Sequence, residues 1–283
     1  MAHVIVTGAS GFVGRQVLKA LKAAGHTVSV TLRPGRALPE GHAADHVIET
    51  PDLFSESAAW WRDRLAGADA LVHAAWYVEP GKYLDSPKNL DCVRGTLALA
   101  EGAVAAGLPH LIGIGTCMEY RLPGEHLDVS HPLEADTLYA ASKLSLFQML
   151  THYLGPTSTR FTWCRLFYLF GEGEYPARLV PYVRAQLEKG EVVKLSAGTQ
   201  LRDFLDVAEA GRQIATTVDT GQEGPVNICS GKAITIRALV EGIADEYGRR
   251  DLLEFGTAAI HPKDPLAVVG VPNLLPAKPG AAV

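Results

Sequence analysis

Eight residues near the start of the chain, TGASGFVG, place Gly8, Gly11 and Gly14 between a β-rich run and an amphipathic one. The first run, HVIVT at positions 3–7, reads as a buried strand; in the second, Val13, Val17 and Leu21 recur at helical spacing up to a stop near Gly25. Glycines at these points permit a tight turn and a close backbone approach to a pyrophosphate. The helix N-terminus adds N–H groups and the positive end of its dipole. A second strand, TVSVTL at 27–32, follows. Strand, helix and strand within about 30 residues form a βαβ unit, which commits the chain to a parallel sheet covered on both faces.

Three more runs, at 70–74, 111–115 and 162–167, read as buried strands alternating with helical patterns. The expected fold is therefore α/β, a doubly wound parallel sheet of Rossmann type with a smaller C-terminal substrate lobe. Residues 1–170 form the expected dinucleotide-binding domain and 171–283 mainly the lobe, with a segment at about 200–230 returning to the first domain. Two further helices are expected around Leu179–Lys189 and Ile236–Tyr247, and the Pro-rich stretch from Pro262 is expected to be irregular.

Composition narrows the function. Hydrophobic residues make up 47 % and charged residues 20 % of the 283, which excludes a disordered or collagen-like chain. A net charge of −5 argues against a nucleic-acid partner, and no apolar run approaches the ~18 residues of a membrane span. Met1 leads into VIVTGASG without a basic signal region, so a cytoplasmic location and no membrane partner are expected. Cys92, Cys117, Cys164 and Cys229 are widely spread, and the surrounding GHAADH gives His42 and His46 no support for a helix that would present them with further ligands; reduced thiols and no metal are expected.

Cofactor choice reads at the end of the second strand, where NAD binders carry an acid for the ribose hydroxyls. This chain has Leu32, Arg33 and then Arg36. An arginine fork suits a 2′-phosphate, which favours NADP(H) and leaves NAD(H) as the other possibility. Further along, Tyr139 and Lys143 stand four apart in YAASK on a helical run ending near Leu154, so both lie on one face. A tyrosine that titrates near pH ~10 when free is expected to fall toward working pH beside an ammonium. Such a pair exchanges a proton with a carbonyl or alcohol oxygen.

With these residues in place, the chain resembles the extended branch of the short-chain dehydrogenase/reductase superfamily, the nucleotide-sugar epimerase, dehydratase and reductase group. TGASGFVG, HAA, GT at Thr96, GTCMEY, YAASK, CRLFYLFGEGE, RDFLDV and VNICSGKAITI carry the resemblance, in that order, over nearly the whole chain. It implies that Thr116 hydrogen-bonds the reacting oxygen, that Tyr139 is the acid/base and that Lys143 holds the nicotinamide ribose. It implies cofactor contacts from Gly8, Ser10, Gly11, Phe12, Val13 and Gly14, from Arg33, from Asp52 and Leu53 at the adenine, and from Ala74 and Ala75. Substrate contacts are expected from Trp76, Tyr77, Tyr168, Arg178 and Arg202, the last on a diphosphate. The resemblance also implies a homodimer.

Departures from the family pattern matter equally. Cys117 and Met118 stand where dehydratases carry an Asp-Glu pair, so elimination of water is not expected. Tyr168 and Cys92 replace asparagines common in the family, and Glu119 reads as strand-end polarity. The leading expectation is an NADP(H)-dependent reductase of a keto group on a nucleotide-activated sugar. An epimerase that oxidises and re-reduces one carbon on a retained cofactor is the alternative. A non-catalytic dinucleotide sensor is the third reading, against which Thr116, Tyr139 and Lys143 together argue.

Overall fold

The protein, described by a computed structural model over residues 1–259 and 264–276, begins with β1 (His3–Thr7), α1 (Phe12–Ala23), β2 (Thr27–Leu32), β3 (His46–Glu49), α2 (Ala58–Leu65) and β4 (Ala70–His73). There follow α3 (Lys88–Ala106), β5 (His110–Thr116), β6 (Gly124–Leu127), α4 (Leu138–Leu154), β7 (Arg160–Leu166) and β8 (Tyr168–Phe170). The remainder comprises α5 (Leu179–Lys189), β9 (Val193–Leu195), β10 (Leu201–Asp206), α6 (Val207–Thr220), β11 (Gly224–Ile228), β12 (Ala233–Thr235), α7 (Ile236–Tyr247), β13 (Leu253–Phe255) and β14 (Ala267–Gly270).

Seven strands form one parallel sheet in the order β11-β7-β5-β4-β1-β2-β3. Successive side chains of a strand point to opposite faces, and both faces are apolar here. Val4 and Val6 pack with Val17 and Leu21 of α1 and Ile214 of α6, whereas Ile5 packs with Trp61 of α2, Leu99 of α3 and Leu146 of α4. The strand order runs outward in opposite directions from β1 and β4, whose last residues, Thr7 and His73, stand side by side. Helices leave a crevice at such a switch point, and it is there that a doubly wound sheet binds ligands.

The smaller lobe holds a sheet ordered β12-β10-β14-β6, with β8 also on β10, and a core of Val183, Leu187 and Ile243 between α5 and α7. Residues 207–228 leave it, laying α6 on α1 and adding β11 to the edge of the large sheet. Among the described residues no helix is long and apolar enough to cross a membrane.

Two elements differ from the sequence expectation. β3 is an edge strand whose residues are mostly exposed, so HVIE carries no buried periodicity; it also puts His46 on a strand, not on a helix with His42. In the stretch expected to be irregular, Ala267–Gly270 is a fully buried strand, paired parallel to both β10 and β6. Nearby prolines at 265 and 272 outweigh four residues of apolar pattern in the sequence, but neither needs to donate to the ladder. Residues 260–263 and 277–283 of that region lie outside the described residues.

Candidate active site

A cleft of about 1030 Å³ opens at the switch point. Its floor is the glycine turn. Gly8 has φ +71°, and a Cβ there would lie 2.7 Å from the Ala75 nitrogen; a Cβ on Gly14 would lie 2.1 Å from the Gly8 oxygen. The turn is closed by the Gly11 N–H, which donates to the Gly8 oxygen at 2.9 Å. Gly11 is also the N-cap of α1 and offers no side chain, so the first-turn N–H groups remain uncapped, unlike those of α4, where the Thr137 hydroxyl accepts from Ala140 N–H. A side-chain-free cradle against an uncapped helix start fits the pyrophosphate of a dinucleotide. Ser10, Phe12, Val13, Ala74 and Ala75 line the same cleft. Arg15, absent from the sequence reading, donates from Nε to the Gly11 oxygen at 3.2 Å and braces the turn from outside.

At the far end of the cleft lie Leu32, Arg33, Arg36, Asp52 and Leu53. Both arginines are exposed, and neither forms an ion pair among the described residues. The Asp52 carboxylate accepts from Phe54 N–H and from the Ser55 hydroxyl, at 3.1 and 2.8 Å. Beside them the buried Thr31 hydroxyl has no hydrogen-bond partner among the described residues.

At the near end the cleft brings together Thr116, Tyr139 and Lys143. Thr116 ends β5 and caps a single 3₁₀ turn, Cys117–Glu119, accepting from Met118 N–H at 3.3 Å; its own proton stays available to an oxygen in the cleft. Burial raises the Tyr139 pKa, the neighbouring Tyr83 and Glu119 add to the rise, and the Thr116 hydroxyl opposes it. The expected depression by Lys143 is not what the geometry produces. The Lys143 ammonium donates to the Ile114 oxygen at 2.6 Å and lies 3.6 Å from the centre of the Trp76 ring. Burial lowers its own pKa from 10.5 to about 7. The phenol thus holds its proton at neutral pH.

The substrate candidates divide. Trp76, Tyr168 and Arg178 line the cleft, but Tyr77 does not: its hydroxyl donates to Glu79 at 2.8 Å while Lys88 covers its ring. Arg202 faces a separate cavity of about 230 Å³, which shares Tyr168, Glu174 and Arg178 with the cleft. Its guanidinium stacks 5.1 Å from the Tyr168 ring centre and donates to Asp264 at 2.6 Å.

Two buried networks behind the site escaped the sequence reading. Glu119 is fully buried; its carboxylate accepts from Thr116 N–H at 2.9 Å, Trp163 Nε1 at 3.0 Å and Arg165 Nε at 2.8 Å. Burial raises its pKa, with Arg165 the foremost opposing influence, and the three groups that face it are all donors. T-x-x-E at 116–119 is the sequence signal of such a reciprocal cap, and a lone arginine in the apolar strand TWCRLF is a second.

The other network runs through His73. The Thr96 hydroxyl gives its proton to the Cys92 oxygen at 2.7 Å, so it accepts from His73 Nε2 at 3.0 Å. Nδ1 is then the acceptor, and the Thr7 hydroxyl donates to it at 2.8 Å while itself accepting from Ala75 N–H at 3.3 Å. Burial first, and then the Lys143 charge, lower the His73 pKa from 6.5 to about 3, which keeps this chain of donors intact.

Comparison with known proteins agrees with the geometry. The sequence model of the NAD dependent epimerase/dehydratase family matches residues 4–229. The chain is 26 % identical over 270 residues to dTDP-6-deoxy-L-talose 4-dehydrogenase (NAD(+)) of Aggregatibacter actinomycetemcomitans, covering 95 % of this chain and 99 % of that one. It is 29 % identical to GDP-6-deoxy-D-mannose reductase of Pseudomonas aeruginosa over 86 % of this chain and 79 % of that one. Among solved structures, UDP-N-acetylglucosamine 4-epimerase from Methanobrevibacter ruminantium M1 superposes with a TM-score of 0.82 at 21 % identity, covering 95 % and 89 % of the two chains, a likeness of fold alone.

Proposed function

The chain belongs to the NAD dependent epimerase/dehydratase family and is an NAD(P)-dependent enzyme of its extended short-chain dehydrogenase/reductase type, and on that premise we propose that it reduces a keto group on a nucleotide-activated deoxysugar with NADPH. One observation carries this reading. Thr116 and a protonated Tyr139 face the cleft together, while Glu119, the only acid in the turn after Thr116, is withdrawn to Arg165. Reduction of a ketone needs one proton donor, and a phenol that keeps its proton at neutral pH is that donor. Elimination of water needs a further base at the substrate, and Cys117 and Met118 provide none. Relatives whose names put oxidation or reduction on a nucleotide-linked 6-deoxyhexose support the substrate class.

When bound, the nicotinamide supplies the hydride. The glycine turn and the start of α1 hold the pyrophosphate, Lys143 the nicotinamide ribose, and Asp52 and Leu53 the adenine. Arg33 and Arg36 take the 2′-phosphate that distinguishes NADPH. Thr116 orients the substrate oxygen and Tyr139 delivers the proton to it. Trp76, Tyr168 and Arg178 border the sugar.

The test is incubation with nucleoside-diphosphate 4-keto-6-deoxyhexoses and either reduced dinucleotide, following dinucleotide oxidation and product mass. NADPH consumed in step with a product heavier by two hydrogens supports the reading. In a parallel incubation with nucleoside-diphosphate hexoses that carry a hydroxyl at that carbon, inversion there without net consumption of dinucleotide overturns it in favour of an epimerase.

A further inference from the structure

Lys143 is a buried cation that pairs with no carboxylate among the described residues. Glu119 lies within electrostatic reach from the turn after β5, Cys92 from α3 and His73 from β4; Tyr139 stands one turn earlier on α4. None of these is a free anion. Glu119 is bound by Arg165, burial keeps Cys92 and Tyr139 protonated, and His73 is neutral.

Two groups touch the ammonium directly. The Ile114 oxygen accepts one of its protons, and the face of Trp76 lies 3.6 Å away; the Trp163 ring is more distant at 5.9 Å. The Trp76 ring is itself fixed. Its Nε1 donates to Asn89 Oδ1 at 2.8 Å, and Asn89 Nδ2 donates in turn to the oxygens of Tyr83 and Ser86 at 2.7 and 2.9 Å. Phe54 and Tyr139 meet it edge-on at 6.4 and 6.5 Å.

We propose that Trp76 is a positioning residue for Lys143, its indole face serving as the electrostatic partner that keeps the ammonium charged and aimed into the cleft. An indole attracts a cation more strongly than any other aromatic side chain, and more so where water is excluded. The consequence is specific to this lysine, because burial has already brought its pKa to about 7. A modest loss of attraction then converts it to a neutral amine at neutral pH, with one fewer donor for a ribose hydroxyl.

The test reads the lysine directly, in protein without dinucleotide or substrate, and so stands apart from the proposed reaction. Lysine labelled with ¹³C at the ε-carbon is titrated by NMR, and Lys143→Arg identifies the resonance. The wild-type midpoint is expected near neutrality. Trp76→Leu lowers it by about one pH unit, and Trp76→Phe lowers it by less. Protein carrying 5-fluorotryptophan at position 76 alone, with Trp163 left unmodified, keeps the ring's shape while weakening the charge on its face, and its midpoint also falls; this protein decides the matter if Trp76→Leu does not fold. NADH titrates no group of its own near neutrality, and its affinity for the variants declines at correspondingly lower pH. A midpoint that stays in place or rises in the fluorinated protein overturns the proposal, as does a wild-type Lys143 that titrates with the exposed lysines.

Discussion

Arg165 and Glu119 form an ion pair of 2.8 Å with neither side chain exposed, and the same carboxylate accepts the N–H of Thr116. The pair therefore anchors the turn that begins at Thr116. Removing one partner leaves a buried charge uncompensated, so Glu119→Ala is expected to lose ~3–5 kcal/mol of folding stability. Glu119→Gln keeps an acceptor for Thr116 and loses less. Urea unfolding measures both, and a loss below about 1 kcal/mol for the alanine variant would contradict the structural role.

Tyr139→Phe removes the proposed proton donor and leaves the ring that packs edge-on against Tyr83 and Trp76. Turnover is expected to fall roughly 10²- to 10⁴-fold with dinucleotide affinity nearly unchanged. Thr116→Ala follows with a smaller loss, because it takes away an orienting hydrogen bond only. Single-turnover kinetics with a reducible keto sugar decide the ranking.

Arg33 and Arg36 stand at the end of the cleft proposed for the adenosine, without acidic partners among the described residues. A charged hydrogen bond from one of them contributes ~1.5–3 kcal/mol, a preference for NADPH over NADH of roughly 10- to 150-fold. Arg33→Ala should erase most of that preference and spare NADH. Equal affinity of the wild-type protein for the two dinucleotides, read by fluorescence titration, would refute the choice.

Asp264 competes with any anionic substrate for Arg202, since it already takes the guanidinium at 2.6 Å. If a diphosphate occupies that cavity, Asp264→Asn tightens nucleoside diphosphate binding several-fold while Arg202→Ala weakens it. Calorimetry showing no change in either variant, together with a lowered Tm for Arg202→Ala, would make the arginine a strut of the small lobe.

Burial lowers the His73 pKa from 6.5 to about 3 and that of His110 from 6.5 to about 4. Both imidazoles are neutral in the folded protein and bind protons on unfolding once the pH drops below that of an exposed histidine. Their contribution to stability is complete above about pH 6.5 and is lost as the pH falls toward the folded values, by up to about 1.4 kcal/mol per pH unit for each. Unfolding free energies between about pH 7.5 and 4.5 should show this slope, reduced by His110→Asn.

Much of the fold is legible in the sequence because a fully covered parallel sheet needs continuous apolar strands, and HVIVT, TVSVTL and LIGIG are such runs. The exposed strand HVIE is not legible for the opposite reason, and AVVG is hidden by its flanking prolines. At the site, the glycine turn and the shared helix face of Tyr139 and Lys143 can be read from spacing together with the strands and helix that flank them, whereas the lowered Tyr139 pKa expected from that pairing cannot. The placement of Arg202 and of the Lys143 ammonium cannot, since each depends on a partner, Asp264 or Trp76, more than sixty residues away.

The position of β14 has a consequence for how the chain is made. Among the described residues β6 pairs with β14 alone, so a strand synthesised before residue 130 waits until residue 270 has emerged from the ribosome. Contacts this distant in sequence form slowly. During that interval β6 and one flank of β10 are open edges, able to pair with a neighbouring nascent chain. Slow translation of the codons between β10 and β14 should therefore increase aggregation, and a peptide of the β14 sequence supplied in trans should suppress it.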